Sequence, residues 1–104
     1  MRDTFHAELA NVSLVDAMHG LSDPLRLRIV ELLAHQGETE CSDIYNTLDI
    51  GKSNASHHFR VLRECGILLR LHRGQKQSAR LRADEFEERF PGLLPAVLDN
   101  IDSA

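Results

Sequence analysis

Residues 49–82 read DIGKSNASHHFRVLRECGILLRLHRGQKQSARLR, and the order of signals in them decides the fold: a turn, a helix, then a two-stranded hairpin. Between Lys52 and Arg82 stand eight basic residues and one acidic one, a local charge of +7. The whole chain of 104 residues carries −4, so everything outside the window sums to −11. A basic face on an acidic body suits a polyanion partner, although a charge run alone is often only a solvated surface.

Composition sets the outer bounds. Apolar residues make up 42% and charged residues 27%, the balance of an ordinary globular protein, and the length allows one small domain, 1–104. No apolar run approaches the ~18 residues of a membrane span, and the start, MRDTFHAELA, lacks the apolar core of a signal peptide. The chain is therefore expected in the cytoplasm, without a membrane partner. Cys41 and Cys65 are too few and too far apart for a disulfide framework or a CxxC site.

Outward from the window, apolar residues Phe5, Leu9, Val12, Leu14, Val15 and Met18 predict a first helix from Thr4 to His19, stopped by Gly20. Ser22-Asp23-Pro24 supplies a cap and a proline at a helix start, so a second helix is expected from Pro24 to His35. A short third helix follows from about Ser42 to Leu48, and Asp49-Ile50-Gly51 makes the turn. Ser53 is the expected N-cap of a fourth helix, with Ala55, His58, Phe59 and Leu62 inward and Asn54, His57, Val61 and Glu64 outward. Strands from Ile67 to His72 and Gln77 to Arg82 flank a tip at Arg73-Gly74-Gln75-Lys76. In the return strand Gln77, Ala79 and Leu81 alternate with Ser78, Arg80 and Arg82, as expected when one face packs on the helices and the other meets solvent. Pro91 divides a last helix, 84–101, into Asp84 to Arg89 and a piece beginning at Pro91. Its stripe of Phe86, Phe90, Leu93, Leu94, Val97, Leu98 and Ile101 exceeds what one small core needs.

Helix, turn, helix and hairpin in that order are the winged helix-turn-helix arrangement, mainly α with a small β-hairpin. DPLRLRIVELL, SDI, KSNASHHFRVLRECGIL and RGQKQSARLR closely resemble the ArsR/SmtB family of bacterial repressors. Ser53 through Gly66 is the most specific part, similar to that family's S-x-x-S-x-H-L-x-x-L-R-x-A-G run, with Phe59 for the leucine and Cys65 for the alanine. The resemblance implies a homodimeric DNA-binding repressor, paired through its first and last helices on a palindromic double-stranded operator, released by an inducer.

On chemical grounds Asn54 and His57 suit base edges, while Ser53, Ser56, Arg60, Arg73 and Lys76 suit phosphates. His58, on the inner face, reads as a core histidine, and Arg63, Arg70, Arg80 and Arg82 as solvated. The resemblance also implies two metal sites, and neither ligand set is present. The cysteine pair at the start of the third helix becomes Glu40 and Ser42, with Cys41 between them, and no histidine follows Asp84. No metal or cofactor is expected. Cys41 and Cys65 remain candidate redox thiols, provided that they are exposed and acidic enough; Cys65, in place of a small apolar residue, reads as buried. A protein-interaction module is the alternative of another class, against which the basic window argues. Catalysis is not expected, since Ser56, His57 and His58 are helix neighbours about 100° apart.

Overall fold

The computed structural model describes residues 6–101. Within them Ser13 accepts a hydrogen bond from the Asp16 N–H at 3.0 Å and starts α1, Leu14–Gly20, after a separate 3-10 turn at Leu9–Asn11. This corrects the expected single helix from Thr4 to His19. The serine offers the backbone an N-cap in mid-stripe, and the chain takes it. Leu9 and Val12 consequently turn into the core, whereas Leu14, Val15 and Met18 stand 52%, 75% and 55% exposed. Thr4 and Phe5 lie outside the described residues.

α2 is Pro24–Gln36, capped by the Asp23 carboxylate, which accepts from the N–H groups of Leu25 and Arg26 at 2.9 and 3.0 Å. Two residues, Thr39–Glu40, then form β1, followed directly by α3, Cys41–Leu48. Asp49 takes the left-handed conformation, φ 54°, and α4 runs Lys52–Glu64. Gly51, not Ser53, is the residue that precedes α4, and Ser53 lies exposed inside its first turn. The left-handed residue finishes the turn early enough for helical geometry to begin at Lys52.

β2, Leu68–Arg73, pairs antiparallel with β3, Lys76–Leu81, from Leu68 opposite Leu81 to Arg73 opposite Lys76. β1 adds to the other edge of β3, with Thr39 opposite Ala79 and Glu40 opposite Ser78, giving the order β1-β3-β2. The expected two-stranded hairpin is thus a three-stranded sheet. Two-residue β1 is too short to show a period of two. In central β3 the neighbours Ser78 and Ala79 are both buried while Gln77 is exposed, so the expected alternation is not kept, and Arg82, expected in solvent, is only 8% exposed. The Arg82 guanidinium is held by Glu85 at 3.0 and 3.1 Å and by the carbonyl of Ala7 at 2.6 Å.

The chain closes with α5, Ala83–Arg89, and α6, Leu93–Asp99. Pro91 lies in the turn between them, where Gly92 has φ 79°, and Pro95 sits in the first turn of α6, where its missing N–H costs little. Phe86, Phe90 and Leu94 enter the core, while Leu93, Val97, Leu98 and Ile101 are half-buried. The core itself centres on α4: Ala55, Phe59 and Leu62 have no exposed surface, and the Phe59 ring stacks on Tyr45 at 5.9 Å.

Gly20 does more than stop a helix. A Cβ there would stand 2.2 Å from the Cys65 sulfur, so the end of α1 approaches the end of α4 only because this residue has no side chain. Gly20→Ala is expected to destabilise the fold by ~1–3 kcal/mol through overpacking. Urea unfolding measures it, and an unchanged midpoint would show that Cys65 moves aside freely.

Candidate nucleic-acid interface

The inner face of α4 is fixed by burial, and that decides what the outer face offers. Ala55, His58, Phe59 and Leu62 are buried, leaving Lys52, Ser53, Asn54, Ser56, His57 and Arg60 exposed around the first two and a half turns. Asn54 and His57 carry donor and acceptor atoms that can meet base edges, and around them Lys52, Ser53, Ser56 and Arg60 can meet phosphate oxygens. Arg60 reaches back one turn toward His57, its NH2 standing 3.4 Å from the Nδ1 of that ring. Lys52 joins this set through the early start of the helix, which sequence alone did not indicate.

His58 belongs to the interior. Its Nδ1 lies 3.1 Å from the Arg26 guanidinium and 3.8 Å from the Asp23 carboxylate. Burial is the main reason that its pKa falls below the ordinary imidazole value, opposed by Asp23 and assisted by Arg26 and His57.

Arg73 and Lys76 face each other across the end of the hairpin and are exposed, as a phosphate contact requires. Each already holds a carboxylate. Arg73 makes a two-pronged pair with Glu38, Nε to Oε2 and NH2 to Oε1, both 3.0 Å. Lys76 Nζ is 3.3 Å from Glu40 Oε2. The hydrogen bond from Arg73 is the chief cause that keeps the Glu38 carboxyl below its usual range, helped by Arg80 and by Ser78. These acids were missed because the pairing of β1 with β3 brings them to the wing. The GETE alternation opposite the return strand is the signal that could have shown it.

Of the other arginines expected in solvent, Arg80 is exposed, Arg63 and Arg70 are half-buried, and the Arg70 guanidinium lies 6.0 Å over the Phe59 ring. Cys41 and Cys65 occupy separate surroundings, the first near Arg70, the second against Gly20 and the Leu62 carbonyl. Both are buried, and desolvation raises both thiols, Cys65 to about 11. That is the environment of packing cysteines rather than of reactive ones.

The places where the family resemblance puts an inducer metal do not fit one. Glu40 is engaged with Lys76, Ser42 is an exposed hydroxyl, and α6 carries no histidine. Among the described residues no group of three or more His, Cys, Asp and Glu side chains is arranged to hold a metal ion. Among the same residues no helix is long and apolar enough to cross a membrane.

A helix presented on its polar face beside a three-stranded wing defines a winged helix-turn-helix domain. Residues 21–72 match the family of the helix-turn-helix domain. YceK of Bacillus subtilis, an uncharacterised HTH-type transcriptional regulator, is 36% identical over 78 residues, 74% of this chain and 78% of that one. ArsR1 of Pseudomonas putida, an arsenic resistance transcriptional regulator, is 32% identical over 76% of this chain and 61% of its own length. A homodimeric winged helix-turn-helix DNA-binding domain of Mycobacterium bovis, a possible ArsR-family regulator, superposes with a TM-score of 0.68 at 25% identity, covering 83% of this chain and 78% of that one. The chain belongs to the ArsR family of helix-turn-helix transcriptional regulators. Such regulators are not an enzyme class.

The Glu38–Arg73 pair makes an electrostatic prediction. Glu38→Gln should strengthen binding to duplexes of any sequence and steepen the fall of log K with log salt, because Arg73 is then free for phosphate. Titration of a random-sequence duplex at several salt concentrations reads both quantities. Weaker binding would mean that Glu38 aims Arg73 instead of competing for it.

Proposed function

We propose that the chain represses transcription as a homodimer on a palindromic operator, α4 of each copy reading bases in the major groove and each wing meeting the flanking backbone. The observation that carries this reading is the division of α4 into a wholly buried face and a polar, cationic one bearing Asn54, His57 and Arg60. The dimer rests on the exposed Leu14, Val15 and Met18 of α1 and the half-buried Leu93, Val97 and Leu98 of α6, apolar surface that a second copy would cover. The homodimeric M. bovis domain supports it. Thiol switching through Cys41 and Cys65 is disfavoured by their burial and raised pKa values. Zinc, cadmium and arsenite should leave operator binding unchanged, since Glu40 and Ser42 stand where the family resemblance puts a cysteine pair and no histidine follows Asp84.

Alanine variants separate the two kinds of contact. Asn54→Ala and His57→Ala should each cost ~1–3 kcal/mol on the best duplex and relax preference at particular base pairs, with binding to random sequence nearly unchanged. Arg73→Ala and Lys76→Ala should weaken both kinds of duplex and flatten the dependence of log K on log salt by about 0.9 for each lost phosphate contact. The reverse pattern, tip variants altering base preference while the helix variants lose affinity uniformly, would assign sequence reading to the wing.

A further inference from the structure

Arg26 is 6% exposed, yet its charge is fully committed. Nε donates to the carbonyl of Gly20 at 2.8 Å, NH2 donates to the carbonyl of His19 at 3.0 Å, and NH1 meets Nδ1 of His58 at 3.1 Å. A guanidinium has donors only, so Nδ1 of His58 must be the acceptor, which makes His58 the neutral tautomer with its proton on Nε2. The two carbonyls lie at the C-terminal end of α1, that of His19 accepting also from the N–H and the hydroxyl of Ser22, and His58 is the neighbour of His57 in α4. One buried cation therefore ties the end of the helix with the exposed apolar face to the first turns of the DNA-facing helix. Asp23 completes the cluster: the same Oδ2 that caps α2 lies 3.8 Å from Nδ1 of His58.

We propose that Arg26 and Asp23 are positioning residues for operator reading, acting through His58 to hold α4 in the rotation that presents Asn54 and His57, and that a proton on Nδ1 of His58 undoes this hold. The proposal rests on the reading of α4 as the base-contacting helix. Its chemistry follows from the groups that face the ring. A proton on Nδ1 would point at NH1, which has no lone pair to accept it, and would add a positive charge beside the Arg26 cation. The nearest acceptor for that proton is the Asp23 carboxylate, so the ring must turn toward the α2 cap and leave Arg26. His57, the other titratable neighbour, lies on the same helix with its ring 5.1 Å away and adds to the repulsion once charged.

The direction with pH is set by burial first, then by Arg26 and His57 against Asp23, which together lower the His58 pKa. Above the ordinary imidazole range the ring is neutral in both folded and unfolded chains, and the link is intact. As pH falls through that range the unfolded chain takes up the proton first, so the contribution of the link to stability is lost on the acid side.

The test compares the full chain with His58→Asn, His58→Leu and Arg26→Gln on a duplex recovered by selection from a random pool and on a random-sequence duplex. The Asn amide oxygen can accept from Arg26 at the place of Nδ1 and does not titrate. From pH about 7.5 to about 5.5 the unsubstituted chain should lose affinity for the selected duplex by a factor of roughly two to five, because a ring whose pKa lies below the ordinary imidazole value is only partly protonated there. His58→Asn should keep its affinity at neutral pH and show a flatter profile. His58→Leu and Arg26→Gln should lose affinity for the selected duplex and little for the random one. A profile for His58→Asn as steep as that of the unsubstituted chain overturns the proposal, as does full specific affinity in His58→Leu. The ¹⁵N shifts of the His58 ring, recorded without DNA, decide the link on their own. An unprotonated, hydrogen-bonded Nδ1 at neutral pH supports it, and a protonated Nδ1 overturns it even if Arg26→Gln fails to fold. A chain that binds no selected duplex, with the ring shifts as expected, would defeat the operator reading while leaving the link standing.

Discussion

The burial of Phe59 and Leu62 constrains everything that α4 can do. Two large side chains with no exposed surface, on adjacent turns of one helix and set among Ile29, Ile44, Leu68 and Phe86, allow α4 a single rotation about its axis. Displacing either would cost several kcal/mol, on the order of the ~2–5 kcal/mol of a large-to-small core change. Rotation in turn fixes which residues face solvent, and those are Asn54, His57 and Arg60 with the small hydroxyls around them. The chemistry on offer to a nucleic acid is thus a by-product of apolar packing, and the polar anchor from Arg26 to His58 acts on the same rotation from the same buried face.

Charge is distributed with equal economy. The basic window is the surplus that any polyanion would sense, but its two most prominent cations, Arg73 and Lys76, are matched by Glu38 and Glu40. Exposed pairs of this kind contribute little to stability, because solvent screens them and long side chains must be held still. Their consequence would lie in binding: a phosphate meeting the wing would have to displace a carboxylate, whereas among the described residues Lys52 and Arg60 on α4 form no ion pair with an acid.

Much of this architecture could be read from periodicity and caps. The inner face of α4, the tip at Arg73 to Lys76, the division of the C-terminal helix near Pro91 and the core role of His58 all follow from local rules. The misreadings have local causes too. Ser13 provides a cap that breaks the first stripe, Asp49 in the left-handed region advances the start of α4 to Lys52, and the C-terminal turn is completed by Gly92 instead of Pro91. What the sequence could not show is whatever depends on distant pairing: β1 against β3, the carboxylates on the wing, Arg82 drawn into Glu85 and Ala7, and the reach of Arg26 across 32 residues to His58. Each joins residues far apart in the chain or depends on burial that tertiary packing alone creates.

The central claim, that paired copies of α4 read an operator, is tested most directly by selecting bound duplexes from a random pool and sequencing them. An imperfect palindrome should emerge, its half-site centres about one helical turn apart or a multiple of that, 34–36 Å, because two symmetry-related helices enter successive major grooves from the same side. Enrichment of a single unpaired half-site, or of no sequence at all, would contradict the account.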